Sequence, residues 1–298
     1  MTLLSDRPKS SLTQQRTTGL LKLHFSQSSG AQLRTTLRVM AQQPPLRVIR
    51  AFPQTDGSVL THLHNVSGGI LGGDQLTICA HLEESTQVQL TSTSATRVYR
   101  HRPAYSDACQ FTHFQVGKEA LLEYLPDPLI PFAGARFRQQ TKIELSDGAG
   151  LFYWEVIAPG REAHNELFAY DELGIQLDLF GAGLPLALER IRLQPAVHPL
   201  TTSARMGDYR YLGTFYICKV GCAPQTWADL EQQLMQMAQE TTEQGTILWG
   251  VSTLPAHGIT IRALSMTNRA VTEGFYRFWQ RAKAILYGKA AILPRKVY

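Results

Sequence analysis

From Gly19 onward the chain is cut into short runs in which apolar residues alternate with polar ones, and the runs are separated by Gly, Pro, Ser or Asn. The early runs are Leu20 to Phe25, Thr35 to Met40, Leu46 to Ile49, Val59 to His64 and Leu76 to Leu82. Then come Gln87 to Thr91, Arg97 to Arg100, Ala108 to Val116, Ala120 to Tyr124 and Phe137 to Leu145. Gly150 to Ile157, Gly174 to Phe180, Leu186 to Leu193 and Tyr209 to Val220 complete the series. A period of two is that of a half-buried strand, and strands recurring roughly every 8–12 residues point to a sandwich, a barrel or a β-helical stack. No fixed repeat is evident, which argues against a regular solenoid.

Two late segments carry the helical period instead. The first opens at Thr226, with Asp229 three residues on as a variant capping box, and places Trp227, Leu230, Leu234 and Met237 on one stripe. It is expected over about 226–244, with Gly245 as a stop. The second is expected over 268–287, with Val271, Phe275, Phe278, Ala282, Ile285 and Leu286 on its apolar face and Gly288 closing it. Thr246 to Ser252 and Ile259 to Leu264 read as strands between them. The fold class expected is therefore mainly β, a large multi-strand architecture with two α-helices in the C-terminal region. A flexible tail is expected over 1–18 and a single domain over 19–298, since no linker rich in Pro, Gly or Ser divides the rest.

Of the 298 residues, 44% are hydrophobic and 18% charged, which supplies a sizeable core and excludes a disordered chain. The net charge of +5 is spread without a basic run, so neither nucleic acid nor a membrane surface is an expected partner. An acidic protein partner suits it equally well. The segment from Met1 to Arg16 is polar and has no leader pattern, and no stretch reaches the ~20 apolar residues of a bilayer span. The four cysteines are irregularly placed, and Cys218 and Cys222 have no second pair to complete a closed zinc site. A cytoplasmic chain with reduced thiols is expected.

The stretch His64 to Leu82 contains two glycine pairs, Gly68-Gly69 and Gly72-Gly73, followed by Asp74 and then a strand pattern. A phosphate-cradling loop needs a helix after it and, in its Walker form, a lysine. Both are missing, so this is a tight corner between two strands, with a carboxylate at its tip. No G-x-S-x-G elbow is present either, which leaves a hydrolase only a dispersed site. His62 and His64 share one strand face and form a candidate metal pair, or else two ordinary strand histidines. Glu123, Glu155 and Glu189 each interrupt an apolar or aromatic run. An ionised carboxylate withdrawn from water costs several kcal/mol, so each needs a cationic partner or a wet cavity. Arg136, Arg138, Arg190 and Arg192 are candidate partners. With Asp74, the three glutamates offer instead the hard oxygen ligands of a polar passage for a divalent ion.

Several motifs fall in the order seen in one family. S-G-G-I-L-G-G-D at Ser67 to Asp74 resembles a G-G-x-x-x-G-D corner, and T-S-T-S-A-T-R-V-Y-R at Thr91 to Arg100 resembles T-T-Q-A-A-T-K-V-Y-R. L-E-Y-L-P-D-P-L-I-P-F at Leu122 to Phe132 resembles L-E-W-L-P-x-P-x-I-x-F. The run Trp154 to Phe168 resembles W-E-x-x-x-x-G-R-x-A-x-G-E-x-F, with Asn165 in place of the last glycine. The ending F-W-Q-R…L-P-R-K-V-Y resembles one usually written L-P-R-x-W, without the tryptophan. Together these resemble the D-type urease accessory proteins (UreD, also UreH).

The resemblance implies a large β-structure with a helical-stack-like topology and two helices. It implies a scaffold, not an enzyme, that assembles with UreF-like and UreG-like proteins on apo-urease and aids delivery of Ni²⁺ through an internal polar channel. No tightly bound cofactor is expected, only transient Ni²⁺. On this reading Asp74, Glu123, Glu155 and Glu189, with hydroxyls of Thr91, Ser92 and Ser94, line the passage. Phe275, Arg277, Phe278, Arg281 and Lys283 present a partner-binding helix face. A plain adaptor with no role in guiding metal is the competing reading.

Overall fold

The computed structural model describes residues 17–29 and 33–294. The tail expected over 1–18 therefore lies outside the described residues except for Thr17 and Thr18, as do the last four positions of the C-terminal motif. The order is β1 (Thr18–Gln27), β2 (Thr35–Gln43), β3 (Leu46–Arg47), β4 (Ala51–Pro53), β5 (Val59–Asn65), β6 (Gln75–Leu82), β7 (Gln87–Ser92), β8 (Thr96–Val98) and β9 (Ala108–Val116). β10 (Leu121–Tyr124), β11 (Leu129–Pro131), β12 (Arg136–Leu145), β13 (Gly150–Ile157), β14 (Glu172–Gly181), β15 (Leu184–Leu193) and β16 (Tyr211–Lys219) follow. Helix α1 (Pro224–Thr241), β17 (Ile247–Thr253), β18 (Gly258–Ser265) and helix α2 (Asn268–Tyr287) complete the chain.

The strands form two sheets. The first runs β15-β14-β12-β9-β6-β1-β2, and the second β17-β18-β16-β13-β10-β7-β5-β3 with β4, β8 and β11 attached. From β5 to β14 the long strands alternate between the sheets, each parallel to its predecessor in its own sheet. This is a two-sheet coil. Its turns are unequal: Leu76 lies beside Gln110, 34 positions on, Ala108 beside Phe137, 29 on, and Arg136 beside Glu172, 36 on. Unequal turns explain why a β-helical stack leaves no periodicity in the sequence.

Each sheet reads in sequence as its layer demands. The first sheet has one wet face, so β1 alternates buried and open positions through Leu21, Leu23 and Phe25. The second is covered on both faces, and β13, G-L-F-Y-W-E-V-I, is apolar almost throughout. Leu151 and Tyr153 enter the core between the sheets. Phe152, Trp154 and Val156 enter a second core beneath the helices. There Phe275, Phe278 and Trp279 of α2 are buried, each stabilising by roughly 1.5–3 kcal/mol.

Helix α2 spans the expected residues, with Thr267 Oγ1 accepting the Ala270 N–H at 3.3 Å and Gly288 closing the helix at φ 61°. Helix α1 begins two residues earlier than expected. Pro224 starts it, where a missing N–H costs nothing, and Thr226 lies inside the first turn, so no capping box forms. The helix ends at Thr241, before Gly245. Among the described residues no helix is long and apolar enough to cross a membrane.

Candidate functional site

The glycine corner joins β5 to β6, and Gly68 and Gly73 take positive φ (78° and 90°), which glycine adopts without strain. Gly69 is required for space: a Cβ there would strike the Tyr99 ring and lie 2.8 Å from the Arg97 carbonyl oxygen. Asp74 is buried, and its Oδ2 accepts the Leu71 N–H at 2.9 Å, so the carboxylate closes its own turn. Burial raises its pKa.

The hydroxyl segment is engaged with backbone. Thr91 Oγ1 donates to the Leu125 carbonyl at 2.6 Å. Ser92 Oγ donates to Asp127 Oδ2 at 2.9 Å and accepts the Asp127 N–H at 2.7 Å. Ser92 and Ser94 also line a recess of about 90 Å³ beside Gly68, Gly69 and Arg97.

Glu123 faces α2, away from the space between the sheets. Its Oε1 lies 2.9 Å from Lys283 Nζ and accepts the Trp279 Nε1–H at 2.8 Å, while Gln89 Nε2 donates to Oε2 at 3.3 Å. All four residues are buried. Burial pushes the Glu123 carboxyl up, and the Lys283 charge opposes that push. The helix face expected to meet a partner needs correction accordingly. Phe275 and Phe278 are core residues and Lys283 is spent on Glu123, because the apolar stripe of α2 turns inward onto β13 and β16. Arg277 and Arg281 are exposed, and Arg281 donates to Gln233 Oε1 of α1 at 2.5 Å.

Glu155 and Glu189 are brought together. Glu155, on β13, points between the sheets beside Tyr153 and accepts from Gln139 Nε2 of β12. Glu189, on β15, accepts the Tyr216 hydroxyl at 2.6 Å and lies 2.7 Å from an Arg262 guanidinium nitrogen. Tyr124, Tyr153 and Tyr216 occupy one row across β10, β13 and β16 with rings stacked at 5.3 and 6.3 Å. In the next row Glu155 opposes Thr214, which opposes Arg262. Glu189 thus has a cation in Arg262, whereas Glu155 has the amide of Gln139 and feels the charge of Glu189. Burial, with Glu189's charge added, raises the Glu155 pKa to about 7, against the donated hydrogen bond from Gln139. Arg262 is half exposed, so the cluster reaches the surface beside β15.

The arginines expected as partners serve others: Arg136 pairs with Asp107 and Glu172, Arg138 with Asp107, Arg192 with Glu172 and Arg190 with Asp178. Gln139, Tyr216 and Arg262 were not singled out beforehand. Arg262 stands in the polar phase of I-T-I-R-A-L, opposite the buried Ile259, Ile261 and Ala263, and so carries no sign of an ion pair. His62 and His64 do share a face, with ring centroids 6.4 Å apart, but His62 is buried edge-on to Phe52. Among the described residues no three His, Cys, Asp or Glu side chains converge as a metal site.

The family model described as "UreD urease accessory protein" matches residues 17–298. A urease accessory protein UreD of Herpetosiphon aurantiacus is 46% identical over 288 residues, covering 95% of this chain and 98% of that one. Those of Bacillus sp. (strain TB-90) and Deinococcus radiodurans are each 28% identical, covering 94% and 96% of this chain and 98% and 97% of their own. Matched from β1 to its last residues, the chain belongs to the UreD family of urease accessory proteins.

Proposed function

We propose that this chain acts in the cytoplasm as a non-catalytic scaffold of urease maturation, assembling with UreF-like and UreG-like proteins on apo-urease and aiding delivery of Ni²⁺. Family membership supports the role in maturation. The observation that carries the metal-guiding part is the meeting of Glu155 and Glu189 between the sheets, where Glu189 is paired with Arg262 and Glu155 has an amide in place of a cation. Such a cluster is short of one positive charge. Glu155 bears a proton near neutral pH and exchanges it for part of the charge of a passing divalent ion. Carboxylate, amide and hydroxyl oxygens hold a borderline metal weakly, and passage requires entry without capture. On this reading the metal route runs through Glu155 and Glu189. Asp74 and Glu123 brace the corner and the helix layer.

Co-expression with apo-urease and UreF-like and UreG-like partners, followed by size exclusion and nickel analysis, tests the proposal. Co-elution and nickel-loaded urease are expected, with both lost when this chain is omitted. Equal nickel loading without it overturns the proposal.

A further inference from the structure

The end of the coil that carries the glycine corner has an excess of positive charge, opposite in sign to the imbalance of the interior cluster. Arg47 on β3 pairs in register with His64 of β5, beside the start of the corner. On the other side the Ile70 N–H bonds the Arg97 carbonyl at 2.8 Å, and Gly72 sits against His101 and the Arg102 backbone. Arg47, Arg97 and Arg102 are exposed, and none is ion-paired among the described residues. Carboxylates at this end are already committed: Asp74 to the Leu71 N–H, Asp107 to Arg136 and Arg138, and Glu166 to Arg161.

Aliphatic side chains stand open among these arginines: Ile49 is 73% exposed, Val66 58% and Leu71 52%. They belong to one neighbourhood, since the Val66 N–H bonds the Pro45 carbonyl next to β3 and Leu71 lies within the corner. The surface is also rigid. The Asp74 carboxylate, the bridge between Ile70 and Val98, and the Tyr99 ring against Gly69 hold the backbone in place. A fixed surface loses little entropy on docking. The recess of about 90 Å³ next to Arg97 has room for one carboxylate-bearing side chain.

We propose that this corner end is a docking surface for an acidic, leucine-bearing segment of a protein partner. Unpaired arginines select negative charge and set the encounter rate, and the three aliphatic residues supply the apolar contact. A nucleic-acid strand would satisfy the arginines equally. It gains most from exposed aromatic faces, however, and here Tyr99 is packed edge-on against Phe132.

The test uses the full chain and a fluorescein-labelled peptide of about twelve alternating Glu and Leu residues, read by anisotropy. A Lys-Leu peptide and a single-stranded oligonucleotide of equal length serve as comparisons. Saturable binding of the acidic peptide is expected, with hydrogen-exchange protection confined to residues 46–50, 64–73 and 97–102. The triple variant R47E/R97E/R102E and, separately, V66D/L71D are each expected to weaken it at least about tenfold, which is about 1.4 kcal/mol. Both should keep the wild-type circular dichroism melt, and R269E on α2, an exposed arginine given no binding role, should bind as wild type. The proposal is overturned by absence of saturable binding, by folded variants that bind within twofold of wild type, by protection elsewhere, or by an oligonucleotide that outcompetes the peptide.

Discussion

Removing the ammonium of Lys283 while keeping its stem, as in Lys283→Met, isolates the value of the buried pair with Glu123. At 2.9 Å the Coulomb attraction is about 6 kcal/mol for an effective dielectric near 20, an upper figure because desolvation of both ions opposes it. With the cation gone, Glu123 keeps the Trp279 and Gln89 donors at 2.8 and 3.3 Å, which do not neutralise it. A loss of about 3–5 kcal/mol is expected at pH 8, read from urea denaturation with an unchanged m value. Burial is then opposed only by those two donors and raises the Glu123 pKa further, so the folded variant takes up a proton more readily than the unfolded chain. Its stability is therefore present at low pH and lost as pH rises, and the deficit at pH 5 should be smaller than at pH 8. Replacing both partners, Glu123→Leu with Lys283→Met, should recover most of the loss, because an apolar pair needs no hydration. A Lys283→Met protein within 1 kcal/mol of wild type at pH 8 would refute the reasoning.

Further predictions concern the same layers. Glu155 has a pKa of about 7 against an ordinary 4.5, so the stability it contributes is full below about 4.5 and lost as pH rises through 7. Glu155→Gln should gain up to about 3 kcal/mol relative to wild type between pH 5 and 8, and parallel urea midpoints across that range would contradict this. Gly274→Ala improves helix propensity by about 1 kcal/mol, yet its Cβ would enter the Trp249 ring. A net loss of about 1–2 kcal/mol is expected, relieved by Trp249→Phe, and a stabilised single variant would show that β17 yields there. Thr267→Ala removes the α2 cap and should cost about 1 kcal/mol, with no loss expected from Thr226→Ala as a cap of α1.

Much of the fold was legible because burial writes its period into the strands: Ala108–Val116 and Gly150–Ile157 stand where alternation and apolar runs place them. Two short strands, Ala51–Pro53 and Leu129–Pro131, went unread because a proline at the end of three residues signals a turn. The coil was hidden by its turns of 29, 34 and 36 positions, which carry no common period. The site was legible one residue at a time. A glutamate within an apolar run announces a need for a partner, but its partner is set by how layers meet. Lys283 reaches Glu123 because α2 lies across β10, and Arg262 reaches Glu189 because β18 faces β15. Neither pairing has a local signature.

The proposed metal-guiding role is tested most directly by the nickel content of urease matured with the double variant Glu155→Ala/Glu189→Ala, measured in complexes shown by size exclusion to be intact. The account predicts nickel well below wild type with unchanged co-elution. Full nickel occupancy in an intact complex would contradict it and leave a docking platform alone.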